Sequence, residues 1–572
     1  MKEKQDSDYN NSNLFNQRIM EMLPRPDGLL PYLIIPTPDE ILIEKDIMVA
    51  MPDGVKLACN VARPDKSGKY PVILSMTPYG KDYKPPTFNP DGSYLPTSYP
   101  NYIKRIYAFG AELGHMKVSM ETAFEAPDPA YWVPHGYVVI IADQRGCFNS
   151  QGKPADGLQD GDDLFYLLEW AAVQEWSNGN VGMSGVSALC YNQYYAACRQ
   201  PSSHHLKAII AWEGRSDNYR DFAFWGGIPE TNFSKSSTKD EIKNMPSDQA
   251  AEIWADAVDP VANQKMMEKN PILENIKVPA LICGSWSDKG LHTRGSFEVF
   301  RRISSEDKWL YTHGGRKWER YYGDDELAYQ KKFFDHYLKG IENNWQNTPR
   351  VRLEVQETRE DYSVRFENEF PLTRTQYKKL YLNARNASLN YKIVDECKAV
   401  YKATQGGVVS FATTFDEDTE VTGFMKVKLW VSAKDADDMD LFVAVKKFDT
   451  QGNEVQFHGQ NGFKGDMVAK GQMRVSLREL DEGLSTSWQP VQKFKGEKKL
   501  NPGEIVPVEI ALLPSGTLFR KGESLRLYIQ GYHPVKQNLL HYDLLINKGE
   551  HIIYTGGNYD SYLQIPIIPL EE

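Results

Sequence analysis

The stretch from Gly179 to Cys190 constrains this chain more than any other, because it combines a strand, a sharp turn and a helix within twelve residues. An apolar strand leads into a turn of small residues with Ser187 at its apex, and a helix-like segment begins at Ala188. Such a turn lifts a serine hydroxyl clear of the sheet, and the helix N-terminus stabilises negative charge beside it. The usual pattern is G-x-S-x-G, and Leu189 stands where the last glycine belongs. Taken alone, the motif also fits an ordinary serine in a glycine-rich loop.

Apolar strands alternate with helical stretches on both sides of this segment, which predicts a parallel sheet covered on both faces. The strands Ile41–Ala50 and Val55–Arg63 flank a turn and predict an antiparallel hairpin at the start of the sheet. Further strands are predicted at Pro71–Met76, Gly136–Ala142, Lys207–Trp212, Pro279–Gly284 and Trp309–Thr312. In sheets of this kind, reactive groups collect at the carboxyl ends of the strands.

Three residues of complementary chemistry follow strand ends in this prediction. Asp288 comes just after the strand Pro279–Gly284, and His313 directly follows the strand that ends at Thr312. A serine nucleophile needs a base and an orienting carboxylate, and α/β-hydrolases supply them in the chain order serine, acid, histidine. The sequence therefore predicts a catalytic triad of Ser187, Asp288 and His313.

A second histidine competes for the role of the base. His292 lies within one helical turn of Asp288 and is the main alternative to His313. A histidine at a strand end is also often a buried core residue, and an aspartate after a strand is often a turn former or a helix cap. His313 is preferred because it follows a predicted strand, and the choice between the two stays open.

The developing oxyanion needs two donors, and the sequence offers a candidate for each. Tyr79 follows the strand Pro71–Met76, at the place from which this fold draws its second oxyanion donor. We expect its phenol to act together with the backbone N–H of Ala188; the alternative is a tyrosine that stacks on a cap. Cys190 is interpreted as a small packed hydrophobe, and Arg145 as a brace that forms ion pairs between edge loops.

The chain is too long for a single core, and changes in its residue pattern predict five segments. Many short strands without helical crossovers predict a jelly-roll β-sandwich at the C-terminus, so the fold class is α/β plus all-β. The predicted segments are an N-terminal arm (1–40), the first part of an α/β-hydrolase core (41–215), an inserted helical cap (216–275), the second part of the core (276–348) and the jelly-roll domain (349–572).

Composition excludes several classes of partner. The formal net charge of −11 argues against nucleic acid and anionic membranes. The polar N-terminus is not a secretory signal, and no apolar run reaches the length of a membrane span. The six cysteines show no CxxC pairing, which favours free thiols in a reducing cytoplasm over disulfides or a zinc site. We therefore expect a cytoplasmic protein without metal or cofactor that acts on a small ester, an amide or a short peptide; a homo-oligomer is left open.

Several of these motifs resemble one known family, the CocE/NonD hydrolases, which include cocaine esterase, α-amino-acid ester hydrolases, glutaryl-type acylases and serine X-prolyl dipeptidyl-peptidases. The segments that carry the resemblance are Thr77–Tyr79, Asp143–Gly146, Gly185–Ser187 and Trp286–Asp288, with Asp438–Val443 and Leu525–Gln530 resembling the C-terminal β-domain of the family. The resemblance implies that Ser187 is the nucleophile, Asp288 the acid, His313 the base and Tyr79 the oxyanion donor.

The chain departs from the family pattern at two places. Ala188 and Cys190 stand where the family usually has tyrosine and glycine. The family histidine commonly follows a G-P-W-type segment, whereas His313 precedes two glycines.

Together these features predict a metal-independent serine hydrolase that cleaves an ester or amide through an acyl-enzyme. One alternative is an X-prolyl dipeptidyl-peptidase, which needs a carboxylate for the free amino terminus of its substrate and a small proline pocket. Another is a non-catalytic protein whose jelly roll binds carbohydrate while the hydrolase core is inert.

Overall fold

The computed structural model describes residues 32–85, 116–233, 259–404, 406–460, 463–535 and 540–569. Most of the predicted N-terminal arm (1–40) and the middle of the predicted cap (216–275) lie outside these residues. None of the helices described is both long and apolar enough to cross a membrane.

The first part of the chain forms ten strands and six helices within the described residues. The strands are β1 (Tyr32–Ile35), β2 (Ile41–Ala50), β3 (Lys56–Pro64), β4 (Tyr70–Thr77), β5 (Met116–Ser119), β6 (Val138–Asp143), β7 (Ser177–Val186), β8 (Leu206–Trp212), β9 (Ala280–Ser285) and β10 (Lys308–His313). The helices are α1 (Pro129–Trp132), α2 (Gly157–Ala172), α3 (Ala188–Ala197), α4 (Thr293–Arg302), α5 (Lys317–Tyr321) and α6 (Asp324–Lys339).

A mixed sheet forms the core, with the strand order β2-β3-β6-β4-β7-β8-β9-β10. The hairpin β2–β3 is antiparallel, as predicted, and the strands from β6 to β10 are parallel. The strands β11 (Val351–Gln356) and β12 (Tyr362–Glu367) extend the sheet beyond β10, although they follow the predicted boundary at residue 348. Where the domains divide stays a prediction.

Both faces of the sheet are apolar, and helices cover both of them. In β6, Val138 and Ile140 point into one hydrophobic cluster, whereas Val139 and Ile141 point into another on the opposite face. This alternation within one continuous apolar strand is typical of a parallel sheet buried on two sides.

Arg145 braces the edge of this sheet, as the sequence predicts. Its guanidinium forms two parallel hydrogen bonds to Asp163 on α2, of 2.7 and 2.6 Å, and a third of 2.7 Å to Asp53 in the β2–β3 turn. A bidentate arginine–carboxylate pair has a defined geometry, so it joins the hairpin to the helix in a fixed orientation.

The C-terminal part of the chain is rich in strands and forms two stacked sheets. Its strands are β13 (Gln376–Asn383), β14 (Ser388–Asn390), β15 (Cys397–Lys402), β16 (Val408–Thr414), β17 (Thr419–Ala433), β18 (Asp440–Phe448), β19 (Glu454–Val455), β20 (Phe457–His458), β21 (Lys464–Asp466), β22 (Ala469–Arg474), β23 (Val506–Phe519), β24 (Ser524–Gln530), β25 (Glu550–Thr555) and β26 (Tyr562–Ile568). One sheet is built around β17 with β13, β23, β25 and β26, and the other around β18 with β16, β22 and β24. Inward residues such as Val427, Val443 and Leu527 share one core between them.

The described part of the predicted cap packs against this β-domain. It contains short helical turns at Tyr219–Ala223, Trp225–Gly227, Ala262–Lys269 and Leu273–Asn275 rather than long helices. Trp225 shares a hydrophobic cluster with Leu291, which precedes α4, and with Phe442 of β18. The cap region therefore joins the rim of the core sheet to the C-terminal domain.

Candidate active site

Ser187 lies between β7 and α3 in a backbone conformation that L-residues rarely adopt, with φ 57° and ψ −112°. The flanking N–H groups fix this turn: Val186 donates to the carbonyl of Glu125 at 3.1 Å, and Ser187 donates to the carbonyl of Glu213 at 3.2 Å. Both glutamates also have positive φ angles, of 63° and 51°. Strained residues that cluster in this way are typical of functional sites, where the surrounding structure enforces them.

Two glycines make room for the residues at which this chain departs from the usual motif. A β-carbon on Gly185 would lie 2.5 Å from the β-carbon of Leu189, and one on Gly214 would lie 2.4 Å from Cys190 Sγ. Larger residues at either glycine would push the first turn of α3 away from the sheet. Cys190 is fully buried, in agreement with its interpretation as a packed hydrophobe.

His292 is the histidine that meets Ser187. Its Nε2 lies 3.2 Å from Ser187 Oγ, and its Nδ1 makes a short hydrogen bond to Asp288 Oδ2. Asp288 and His292 share a single turn in the loop between β9 and α4, where the backbone N–H of His292 donates to the carbonyl of Asp288 at 3.2 Å. The structure thus brings Ser187, His292 and Asp288 together in the geometry of a nucleophile, a base and an orienting carboxylate.

His313, which the sequence favoured as the base, does not contact Ser187, and this prediction of its placement is wrong. It lies at the end of β10, as expected, but its Nε2 bonds Glu213 Oε1 at 3.0 Å. The physical reason is lateral distance. Three strand-to-strand steps, about 14 Å at the usual strand spacing, separate β7 from β10. His313 is still paired within β10, opposite Ser285 of β9, so no loop carries its imidazole across that distance, whereas the loop after β9 carries Asp288 and His292 towards Ser187.

Lys317, the first residue of α5, is a buried cation beside the acid and the base. Its Nζ lies 2.5 Å from Asp288 Oδ2 and 3.1 Å from His292 Nδ1. Burial opposes ionisation of Asp288, but Lys317 and His292 outweigh it and hold the pKa of this carboxyl below its ordinary value. Burial and then Lys317 lower the pKa of His292, against the opposing effect of Asp288, so the imidazole is held neutral and able to accept a proton.

Glu125 adds a second buried carboxyl group close to this cluster. Burial raises its pKa to about 8, despite the opposing charge of Lys317 and a hydrogen bond of 3.0 Å from Trp318 Nε1. Its other oxygen, Oε2, has no hydrogen-bond partner among the residues that the structure describes. At neutral pH the side chain of Glu125 is therefore a neutral carboxylic acid. The positive charge of Lys317 then interacts with the carboxylates of Asp288 and Glu213.

The two candidate oxyanion donors lie where the sequence puts them. Ala188 is the first residue of α3, and N–H groups of a first helical turn have no acceptor within the helix. Tyr79 is half-buried in the loop after β4, and its ring meets Phe124 edge-on at 5.3 Å. Phe124 directly precedes Glu125, whose carbonyl holds the turn before Ser187.

Within the described ranges, two groups of buried side chains bring atoms that can bind metals within 4.8 Å of one another. One consists of Glu213, Cys283 and His313, and the other of Glu213, Asp288 and His292. In the second group the ammonium of Lys317 already lies 2.5 Å from the Asp288 oxygen that a metal ion would need. That position is therefore unfavourable for a further cation.

Sequence reasoning missed three residues of this cluster: Glu125, Glu213 and Lys317. Glu213 directly follows β8, so the rule that reactive groups collect at strand ends was sufficient to find it. Lys317 and Glu125 carry no such local signal, because their roles depend on which loops meet above the sheet.

Comparison with known proteins matches the N-terminal core and the C-terminal part of the chain to two separate family models. Residues 53–318 match the family model for X-Pro dipeptidyl-peptidase of the S15 family, and residues 343–564 match that for the X-Pro dipeptidyl-peptidase C-terminal non-catalytic domain. A solved CocE/NonD family hydrolase from Staphylococcus aureus is 43% identical, with a TM-score of 0.86 and coverage of 92% of this chain and 94% of that chain. The chain belongs to the CocE/NonD family of hydrolases.

Three other similar proteins have lower sequence identity to this chain. Cocaine esterase from Rhodococcus sp. (strain MB1 Bresler) is 25% identical over 60% of this chain and 63% of its own length. A putative Xaa-Pro dipeptidyl-peptidase from Bacillus anthracis is 24% identical over 53% of each chain. The match thus spans less than two thirds of either relative. The structure of an α-amino acid ester hydrolase, 16% identical with a TM-score of 0.61, covers 96% of this chain and 99% of that chain and supports the α/β-hydrolase fold alone.

Proposed function

We propose that this CocE/NonD hydrolase cleaves an ester or amide of a small acyl or aminoacyl substrate through an acyl-enzyme on Ser187. The observation that carries the proposal is the hydrogen-bonded chain from Ser187 Oγ through His292 to Asp288. The base differs from the one that the sequence favoured, whereas the nucleophile and the acid are the same.

In the first half of the reaction His292 Nε2 takes the proton of Ser187, and the hydroxyl oxygen attacks the carbonyl carbon of the substrate. Asp288 accepts the Nδ1 hydrogen bond and so selects the tautomer whose Nε2 lone pair faces the serine. The backbone N–H of Ala188 and the phenol of Tyr79 stabilise the tetrahedral oxyanion. His292 then gives its proton to the leaving group, and the acyl group stays on Ser187.

In the second half water attacks the acyl-enzyme, and His292 again acts as the base. The lowered pKa of His292 keeps the base ready at neutral pH, because an imidazolium could not accept the proton of the serine. The buried pair of Asp288 and Lys317 supplies a fixed charge arrangement beside it.

A fluorophosphonate probe tests this proposal, since it reacts covalently with an activated serine. We expect one probe molecule per chain on Ser187 and loss of labelling in Ser187→Ala. Ser184→Ala is the matched control: this serine lies on β7, the strand that leads to Ser187, but it is buried and its Oγ lies 3.0 Å from the hydroxyl of Tyr321. Absence of labelling, or full labelling of Ser187→Ala, would refute the assignment.

X-prolyl dipeptidyl-peptidase activity is the second candidate, favoured by the match of residues 53–318 to the S15 family. That activity needs a free carboxylate for the amino terminus of the substrate. Among the described residues beside Ser187, Glu213 already bonds His313 and Ser285, Asp288 bonds His292 and Lys317, and burial raises the pKa of Glu125 to about 8. We therefore favour a simple ester, and release of anilide from Ala-Pro-4-nitroanilide would decide for the peptidase instead.

We further propose that the protein works in the cytoplasm. All six cysteines are free thiols in the structure, which supports a reducing compartment. Fractionation of cells that express the tagged protein tests the proposal, and recovery outside the cytoplasmic fraction would contradict it. A homo-oligomer stays a prediction, which sedimentation of the purified chain would check.

A further inference from the structure

Arg215 is a cation at the rim of the candidate site that lacks an acidic partner. It lies three residues beyond the end of β8, and its guanidinium carbon lies 4.6 Å from the ring centroids of both Tyr191 and Phe222. Its Nε is buried without a hydrogen-bond partner, and the described part of the chain provides no ion pair for its guanidinium. A partly buried charge without a counter-ion is unfavourable unless a ligand supplies one.

The position of Arg215 beside Ser187 follows from the backbone contacts around it. The N–H of Ser187 donates to the carbonyl of Glu213, two residues before Arg215, at 3.2 Å. The N–H of Tyr191 donates to the carbonyl of Ser187 at 3.0 Å, so Tyr191 follows the nucleophile by one helical turn, an axial rise of about 5.4 Å. Ser187, Tyr191 and Arg215 are all half-buried, so each keeps part of its surface accessible.

The nearby acidic groups are committed to other arginines. Asp217 pairs with Arg220 at 2.8 Å and also accepts backbone N–H groups. Asp221 pairs with Arg294 and accepts hydrogen bonds from the backbone N–H groups of residues 216 and 217. Both carboxylates lie within six residues of Arg215 in the sequence, yet neither pairs with it.

Contact with two aromatic rings restricts the orientation of the guanidinium and leaves its terminal N–H groups to bind a ligand. Such an edge presents two parallel N–H groups, which match the two oxygens of a carboxylate. We infer that Arg215 binds an anionic substituent of the substrate, and that the preferred substrates are esters that carry a carboxylate several methylene groups from the scissile carbonyl. The inference rests on the proposed function and specifies its substrate class.

A matched pair of substrates tests it: 4-nitrophenyl hydrogen adipate, which carries a free carboxylate, and its neutral methyl ester. The measured quantity is the ratio of kcat/KM for the acid to kcat/KM for the methyl ester. Because a hydrogen bond to a charged group contributes about 1.5–3 kcal/mol, we expect Arg215→Met to lower this ratio about 10- to 100-fold. Arg215→Lys keeps the charge but loses the planar fork, so its ratio should fall between those of the wild type and Arg215→Met.

Arg199→Met is the control variant. Arg199 also lies over an aromatic ring, that of Phe165 at 4.0 Å, but it pairs with Asp162 at 2.6 Å, and its removal should leave the ratio unchanged. Added salt gives a second measurement on the wild type that needs no variant: the ratio should fall as ionic strength rises.

The inference is overturned if the wild type does not prefer the acid, or if Arg215→Met slows both esters equally. Its failure can be distinguished from failure of the proposed function. A protein that is labelled by fluorophosphonate on Ser187 but shows no preference for the acid refutes the role of Arg215 alone. A protein that is not labelled on Ser187 refutes the serine mechanism itself.

Discussion

Replacing His292 and His313 one at a time shows which of these two buried histidines is the base. His292→Asn keeps an N–H that can donate to Asp288 but removes the atom that faces Ser187. His313→Gln keeps an N–H at the position of Nε2, which bonds Glu213. Each variant preserves the local hydrogen bond to a carboxylate, so a difference in activity reports which histidine accepts the proton.

The expected magnitudes differ by several powers of ten. Loss of a triad histidine lowers kcat by about 10⁴- to 10⁶-fold, equivalent to about 5–8 kcal/mol of transition-state stabilisation. His313→Gln should lower kcat by less than about tenfold, because the amide still compensates Glu213, whose carbonyl holds the N–H of Ser187. Complete removal of His313 would be harmful, because Glu213 Oε1 would lose its hydrogen bond inside the protein, which costs about 1–3 kcal/mol of folding stability.

Steady-state hydrolysis of 4-nitrophenyl acetate gives kcat and KM, and the rate of fluorophosphonate labelling gives the reactivity of Ser187 independently of any substrate. Thermal unfolding of each variant checks that the fold is retained. If His313→Gln loses as much activity as His292→Asn while both remain folded, or if His292→Asn keeps wild-type activity, the assignment of the base from the 3.2 Å contact is refuted.

Two further predictions concern protonation. In the pH dependence of kcat/KM, the acid limb should be centred below pH 6.5, the ordinary pKa of histidine. Burial and Lys317 lower the pKa of His292, and only the neutral imidazole accepts a proton. A limb centred at or above pH 6.5 would contradict this prediction. Burial raises the pKa of Glu125 from 4.5 to about 8, so between these values the folded state holds a proton that the unfolded chain has released, and stability falls as pH rises. At 1.36 kcal/mol per pH unit, Glu125→Gln should stabilise the fold by about 3 kcal/mol at pH 7 and by nothing below pH 4. Urea unfolding of both proteins at the two pH values measures this difference in the free energy of unfolding. An equal effect at both pH values would contradict the reasoning.

Much of the fold was predictable because its signals are local. The strand Ile41–Ala50 coincides with β2, and Lys207–Trp212 differs from β8 by one residue, since apolar runs bounded by turn residues mark buried strands. Near the C-terminus the pattern of Met473–Leu477 also predicts a strand, but only its first two residues belong to β22, and Val475–Leu477 form a helical turn. Strand periodicity does not specify where a short strand turns into a helical turn.

For the site, the sequence by itself located the turn at Ser187 and the carboxylate of Asp288, because both follow from a strand end and the residues next to it. Only the tertiary structure decided which histidine meets the serine. His313 obeys the strand-end rule but lies three strands away from β7, whereas His292 follows no strand directly and reaches Ser187 through the loop after β9. The burial of Lys317 and Glu125 beside them was equally hidden, since it depends on how separate loops pack over the sheet. Sequence patterns report contacts along one element, and the distances between elements are set only when the sheet assembles.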